Sequence, residues 1–428
     1  GLGVLARNVL RTLQQSGYPV AALDIDPGMG RGGKDLSFSN LCLERPEELP
    51  YVVNLFVLPA PTLQQLLPTV TNLVLDPARI NVTLPMWELP VLSPGSRCVF
   101  EFSDVLVAGS PFLRSALEFA LSNVLVILGL QPLFLPGLPG GDRERFGLRK
   151  DDVIFLTAFE PHSDPKRKNP EGVIKAFLKA FPKSSNAHLV VKANNASFNG
   201  VEHASVTRLK TLVHTSPSIS LLSEDYSYRD LFGLLASVDV VVSLHRAEGL
   251  GLVPMEAMAL GKPVIATAWS GNMAYMNHRN ACLVDYRLVP VQGSGGSYEK
   301  MLGGVPAKWA EPNLATAAAW MRVLVENEKL RESRGRLARE SIDAFNENAL
   351  KAEFVSELTA IYENRESLCV RVEARKTKLS QLRFLPQVLA VKSDLRRFLE
   401  LRSAHEKAVR VLCSKRQSRA LHARQCLS

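Results

Sequence analysis

The fold class predicted from the sequence is α/β, with two doubly wound parallel sheets, and three observations carry it. Short apolar runs of strand length alternate with amphipathic helical patterns from the N-terminus to about Thr267, the arrangement that gives parallel strands covered by helices. The alternation breaks once, at the Pro/Gly-rich and charged stretch "LPGLPGGDRERFGLRKDD" (Leu135–Asp152), and then restarts, which marks a boundary between two units. At 428 residues, 46% hydrophobic and 22% charged, the chain is long enough for two domains that each bury a core. The expected division is 1–140, 141–364 and a C-terminal helical basic extension, 365–428.

In chain order, "GLGVLARNVLRTLQQSG" reads as a turn followed by an amphipathic helix, and the strand that usually precedes such a turn is missing. With Gly rather than Met at position 1, the chain reads as a fragment or an excised domain. "YPVAALDI", "YVVNLFVL", "TNLVLD" and "INVTLP" read as strands, and "CVFEFSDVLVAGS" as a helix tail or loop leading into another. A helix from Pro111 and a strand near "VLVIL" complete the first unit. The second is more regular. Its strands are "VIFLTAF", "AHLVVKA", "ISLLS", "DVVVSL" and "PVIAT", and its helices "NPEGVIKAFLKAFP", a segment from about Val201, "YRDLFGLLASV" and "PMEAMAL". From Asn313 to about Asn364 the pattern is helical throughout. Ligands in open α/β sheets bind outside the carboxyl ends of the strands. Two such edges facing across a cleft imply a reaction between two substrates.

Charge and cysteines narrow the classes. The net charge of +9 is uneven: residues 365–428 hold sixteen Lys/Arg against five Asp/Glu, a net of +11, so the remainder carries −2. Such a tail is a solvated helix face, or docks on an acidic surface. Six scattered cysteines, with no CxxC and no His at zinc spacing, fit free thiols in a reducing compartment, hence a cytoplasmic protein. The most apolar run, Val124–Pro139, holds three prolines and a Gln, too short and broken to span a bilayer. "GMGRGGKD" (Gly28–Asp35) imitates a phosphate loop. It lacks the Ser/Thr after Lys34 and the following helix that a nucleotide-triphosphate site needs, so that function class is excluded.

The stretch "HRAEGLGLVPMEAMALGKPVIAT" (His245–Thr267) carries the chemistry. It follows a buried strand, so His245 and Arg246 stand at a carboxyl edge, where Gly249 and Gly251 let a ligand approach the backbone. Pro254 suits the first turn of a helix that Gly261 ends. The N–H groups at that helix start offer an anion site for a diphosphate. Glu248 stands in the loop facing the cleft, and Glu256, one turn into the helix, can accept two hydrogen bonds from vicinal hydroxyls such as those of a ribose. The bland alternative for Glu256 is a carboxylate that complements the helix dipole.

These residues resemble the E-x7-E signature of the retaining nucleotide-sugar glycosyltransferases of the family-4 (group 1) type, which have the GT-B fold: two Rossmann-like domains facing across a cleft. "FEPHSDPKRKNPEGVIKAF" (Phe159–Phe177) resembles their phosphate-binding turn. "TAWSGNMAYM" (Thr267–Met276), "KWAEPN" (Lys308–Asn313) and "MWELP" (Met86–Pro90) are similar to members of the bacterial surface-polysaccharide branch. The resemblance covers about residues 1–364. It implies that Glu256 holds the donor ribose and Glu248 the sugar hydroxyls. The amides of Gly249, Leu250 and Gly251 would line the sugar and diphosphate. Arg167 and Lys168, supported by Lys192, would neutralise the diphosphate, with Arg246 and His245 adding polarity nearby. Gly1 and Gly3 are similar to the glycine loop that contacts donor phosphates or acceptor.

Two departures stand out. Relatives often place a histidine in the first domain near the sugar, whereas residues 1–161 contain none, and Glu88 is the cleft-facing polar group in its place. The basic residue often found early in the phosphate turn is replaced by Phe159-Glu160. What the resemblance implies is transfer of a hexose, mannose or similar, from a nucleotide diphosphate sugar to a glycan or lipid-linked glycan, with retention. Glu248, His245 and Glu88 are the expected catalytic residues. Neither a cofactor nor a metal is expected, and no nucleic-acid partner. The chain would be cytoplasmic, on the inner face of the membrane where residues 365–428 touch it. A GT-B nucleotide-sugar epimerase and a non-catalytic nucleotide-sugar-binding module are the competing classes.

Overall fold

The computed structural model describes residues 2–25, 37–348 and 354–364, apart from positions 77, 123, 131, 136, 138–139, 184–185 and 199. Residues 365–428 and the loop Gly28–Asp35 lie outside the described residues, as does Gly1.

The first domain opens with helix α1 (Leu2–Gln15). Its sheet has four parallel strands, β1 (Val53–Phe56), β2 (Ile80–Thr83), β3 (Val105–Ala108) and β4 (Leu125–Leu128), side by side in sequence order. β2 and β3 are buried at every position, as strands covered on both faces must be. The connecting helices are α2 (Ala60–Leu66), α3 (Thr71–Leu75), α4 (Pro94–Phe100) and α5 (Pro111–Ala120). Ser93 and Ser110 start the last two by accepting a backbone N–H three residues on, the usual N-cap device.

Two expected strands take other forms. "YPVAALDI" makes only one bridge, Ala22 to Cys42, because among the described residues no strand lies alongside it to extend the ladder. "TNLVLD" is α3 instead. Thr71 Oγ1 turns back to Leu67 O at 2.8 Å, and Val74 is buried with Leu73 packed beside it on the core, so a short apolar run whose period is ambiguous follows the helical option.

The second domain follows the sequence reading closely. Its parallel sheet has the order β12-β11-β10-β5-β6-β9, formed by β5 (Val153–Phe159), β6 (Ala187–Ala193), β9 (Ile219–Leu222), β10 (Val240–Ser243), β11 (Val264–Thr267) and β12 (Cys282–Val284). A small hairpin, β7 (Ser197–Phe198) with β8 (Val201–Glu202), intervenes, so the helix expected from about Val201 begins later, as α8 (Ala204–Val213). The remaining helices of the sheet are α6 (Pro165–Lys168), α7 (Pro170–Ala180), α9 (Tyr228–Ser237) and α10 (Leu252–Ala259). One core packs α7 and α8 on one face, and another packs α9 and α10 on the other. After β12 comes an antiparallel hairpin, β13 (Tyr286–Pro290) and β14 (Lys308–Pro312), with α11 (Ser297–Leu302) between its arms. Helices α12 (Leu314–Glu326), α13 (Glu328–Asn348) and α14 (Phe354–Glu363) end the described chain.

The domains are not independent. Tyr298, Leu302 and Trp309 of the second share one apolar cluster with Leu63, Trp87, Phe100 and Leu117 of the first. No described helix is long and apolar enough to cross a membrane.

Candidate active site

The site forms where β5 and β10 end. After β10 the chain turns at His245, whose ring is fully buried. Its Nδ1 meets Ser243 Oγ at 2.9 Å and its Nε2 meets Asn272 Oδ1 at 3.1 Å and Trp269 O at 3.3 Å. Burial holds its pKa below the ordinary value. With both nitrogens engaged by Ser243, Trp269 and Asn272, His245 fixes the loop that follows. Arg246 is anchored too. Its guanidinium pairs bidentately with Glu311 at 2.6 and 3.0 Å and bonds Lys166 O, so it braces β14.

Glu248 is the centre of the site. Its backbone N–H donates to Ser270 Oγ at 2.9 Å, and its carboxylate receives Lys168 Nζ at 2.5 Å and Arg167 Nη1 at 3.1 Å. Burial opposes ionisation, but Lys168 and Arg167 outweigh it and lower the carboxyl pKa to about 2. Arg167, 1% exposed, also donates to Ala247 O at 2.8 Å and Ser163 Oγ at 2.9 Å, and lies 3.7 Å from Glu88 across the cleft. Burial works against its charge, and Glu88 and Glu248 more than restore it. Lys168 keeps about a quarter of its side-chain surface open, so it is the cation of the pair that an incoming anion reaches first.

The phosphate turn is held by two left-handed residues. Asp164 (φ 57°) accepts the N–H groups of Lys166 and Arg167. Asn169 (φ 56°) accepts the N–H of Gly172 and donates to Leu244 O at 2.9 Å. Backbone strain of this kind persists only where the surroundings over-determine it; here it points Arg167 and Lys168 at Glu248. Lys192 is different. Its three acceptors are Ala193 O at the end of β6 and Asn194 Oδ1 and Glu224 O in the loops after β6 and β9, and burial lowers its pKa to about 8. With its ammonium held there, it ties the end of β6 to the loop after β9.

Gly249 and Gly251 are glycines for stated reasons. A Cβ on Gly249 would stand 2.9 Å from Trp87 O of the first domain, and Ser110 Oγ donates to Gly249 O at 2.7 Å. Gly251 has φ 85° and precedes α10 as its N-cap, and its carbonyl accepts from Tyr275 at 2.7 Å. Leu250 packs against the core. Behind this turn Glu256, 2% exposed, accepts a hydrogen bond from Tyr228 at 3.0 Å. Burial raises its pKa to about 7 even though Tyr228 pulls the other way. The Arg7 guanidinium of α1 lies 6.0 Å above the Tyr228 ring, so α1, whose first turn contains Gly3, reaches the same corner.

Ser270, Gly271, Tyr228, Asp164 and Tyr298 were missed as individual residues. "WSGNM" was the one available signal. Ser270 has φ 83°, and a Cβ on Gly271 would fall 1.9 Å from Gly249 O, an overlap that no rotamer relieves. Gly271→Ala is therefore expected to push the Gly249 turn aside and abolish nucleotide binding, with a destabilisation of about 1–3 kcal/mol. Equal nucleotide affinity by calorimetry in variant and wild type would sink this. Among the described residues, no three His, Cys, Asp or Glu side chains group so as to hold a metal ion.

Residues 142–286, which hold the second sheet and most of this site, match the family model of Glycosyl transferases group 1. No curated protein matches the chain in sequence. Among solved structures, the sucrose-phosphate synthase of Thermosynechococcus elongatus is similar at 18% identity and a TM-score of 0.54, covering 75% of each chain. HepE of Anabaena, solved in complex with UDP and glucose, is similar at 17% identity and a TM-score of 0.52 over 74% of this chain and 78% of that one. The α,α-trehalose 6-phosphate synthase of Burkholderia multivorans is similar at 13% identity and a TM-score of 0.50, covering 72% of this chain and 76% of that one. The fold is therefore GT-B, α/β with parallel sheets, as expected.

Proposed function

We propose that the protein is a retaining hexosyltransferase that moves a sugar from a nucleoside diphosphate sugar to a hydroxyl of a glycan or lipid-linked glycan. The observation that carries this reading is the convergence of Arg167, Lys168 and Glu248 in front of the α10 N-terminus, with buried Glu256 one turn behind. That spacing fits a donor: diphosphate at Lys168 and the helix amides, sugar at Glu248, ribose at Glu256. The UDP and glucose in HepE support it. A departing nucleoside diphosphate gains negative charge, and fixed cations and amides stabilise it. Lys168 and the first-turn amides would do so here while the leaving phosphate takes the acceptor proton in a front-side attack. Neither a cofactor nor a metal is needed in that scheme.

We place the protein in the cytoplasm, in surface-polysaccharide assembly, with the basic composition of residues 365–428 favouring contact with an anionic inner membrane face. The test is incubation of the full chain with UDP-glucose, UDP-N-acetylglucosamine and GDP-mannose, following released nucleotide and product. An α-linked product from an α-linked donor supports the proposal. An epimerised sugar nucleotide, or nucleotide binding without turnover, replaces it with one of the competing classes.

A further inference from the structure

The β13–α11–β14 segment is fastened to the site at three points. Asp164, which orders the phosphate turn, accepts from Ser297 Oγ at 3.0 Å and from the N–H of Tyr298 at 3.1 Å. A Cβ on Gly296 would stand 2.6 Å from the same carboxylate, so the approach tolerates no side chain there. At the other end Glu311 pairs with Arg246, and the Ala310 N–H donates to Arg246 O at 2.9 Å. The third point crosses the cleft. The Tyr298 hydroxyl donates to Glu88 Oε2, its ring centroid is 5.3 Å from that of Trp87, and the Arg167 guanidinium lies 5.7 Å from the ring.

Glu88 itself belongs to no helix or strand; it sits in the loop after β2, where a carboxylate has several rotamers open to it. Tyr298 removes that freedom. With Oε2 taken, Oε1 remains 3.7 Å from Arg167 Nη2, and Glu88 Cγ lies 3.7 Å from where a Cβ on Gly249 would be. We propose that Tyr298 is a positioning residue that holds the Glu88 carboxylate over the Gly249 turn, so that its second oxygen receives a hydroxyl of the transferred sugar. The inference rests on the donor-site reading above and adds a third structural part to the site. Burial, reinforced by Glu88, raises the phenol pKa well above its usual value, so the hydroxyl remains a donor at every working pH.

Tyr298→Phe keeps the stacking on Trp87 and removes only the hydroxyl. Its test is hydrolysis of UDP-glucose, UDP-N-acetylglucosamine and GDP-mannose, with UDP binding by calorimetry and the melting midpoint alongside. Turnover is expected to fall about tenfold to a hundredfold, the scale of one hydrogen bond to a charged group, with UDP affinity within about twofold of wild type and a midpoint lowered by no more than about the cost of one such bond. In a Glu88→Ala background the same substitution should change turnover no further, since its only route is through Glu88. Unchanged turnover in Tyr298→Phe, additive losses in the double variant, or parallel loss of UDP affinity and midpoint would each overturn the inference and leave the donor site standing. A wild-type chain that neither binds UDP nor hydrolyses any of the three donors overturns the donor-site reading, and this inference with it.

Discussion

Glu248→Ala is expected to lower donor turnover by about a hundredfold or more, the scale set by removing an oriented charged contact, and to destabilise the protein by about 3–5 kcal/mol. The reason is the state in which it leaves its partners. Arg167 is 1% exposed and loses its closest carboxylate, retaining Glu88 at 3.7 Å, while Lys168 loses a contact of 2.5 Å. A buried pair broken on one side costs more than the pair itself contributes, because the surviving charge stays desolvated. The pH dependence has a definite sign. The folded pKa of Glu248 is lowered to about 2, so its stabilisation is present above the unfolded value of about 4.3 and is lost as pH falls toward 2. The variant also separates an anion site from a merely structural ion cluster. With the carboxylate gone, UDP or pyrophosphate meets a Lys168 without its carboxylate partner and an Arg167 left with the more distant Glu88, and should raise the variant's midpoint more than the wild type's. Equal shifts in the two proteins would remove Arg167 and Lys168 from the donor site.

Periodicity and punctuation made most of the second domain readable. β5, β6, β9, β10 and β11 fall where apolar runs predicted them, and Gly251 and Gly261 bracket α10. The first domain was less legible because its strands are short. "TNLVLD" and "YPVAALDI" are apolar runs of ambiguous period; a bond back to Leu67 accompanies the helical form of the first, and the second depends on Cys42, twenty residues on. In the site, residue type singled out Arg167, Lys168 and Glu248, which the fold brings together. Type could not reveal where a basic side chain points. Arg246 pairs with Glu311, and Lys192 with acceptors at the end of β6 and in the loops after β6 and β9. Tyr298 was invisible for a related reason: its partners, Glu88 and Arg167, lie far off in the chain and in different domains.

Glu256 should make nucleotide affinity depend on pH in the opposite sense to a simple anion site. Burial raises its pKa to about 7, so near neutrality about half of the donor-free protein is protonated there. Vicinal ribose hydroxyls are donors, and a carboxylate receives both better than a carboxylic acid, which must spend one oxygen as a donor. Binding therefore favours the ionised form. UDP-glucose affinity should rise by up to about tenfold per pH unit below 7 and level off above it, whereas a site that only collects on cations its doubly esterified diphosphate, which lacks the terminal phosphate that titrates at about 6 in UDP, gains nothing there. In Glu256→Gln the profile should flatten and the affinity fall. Stability moves the other way. A carboxyl whose folded pKa is raised leaves the fold weaker as pH climbs from the unfolded value of about 4.3 to 7, so Glu256→Gln should match wild type near pH 4 and exceed it near pH 8 by something on the order of 3 kcal/mol. Tyr228→Phe, which removes the one hydrogen bond that opposes this shift, should move the affinity profile to higher pH. A wild-type affinity that stays flat from about pH 5.5 to 8.5, or a Gln variant that binds UDP as tightly as wild type, would show that Glu256 is only a buried acid. A carboxylate that weakens the fold at neutral pH where glutamine would not is otherwise hard to account for without a ligand that needs its charge.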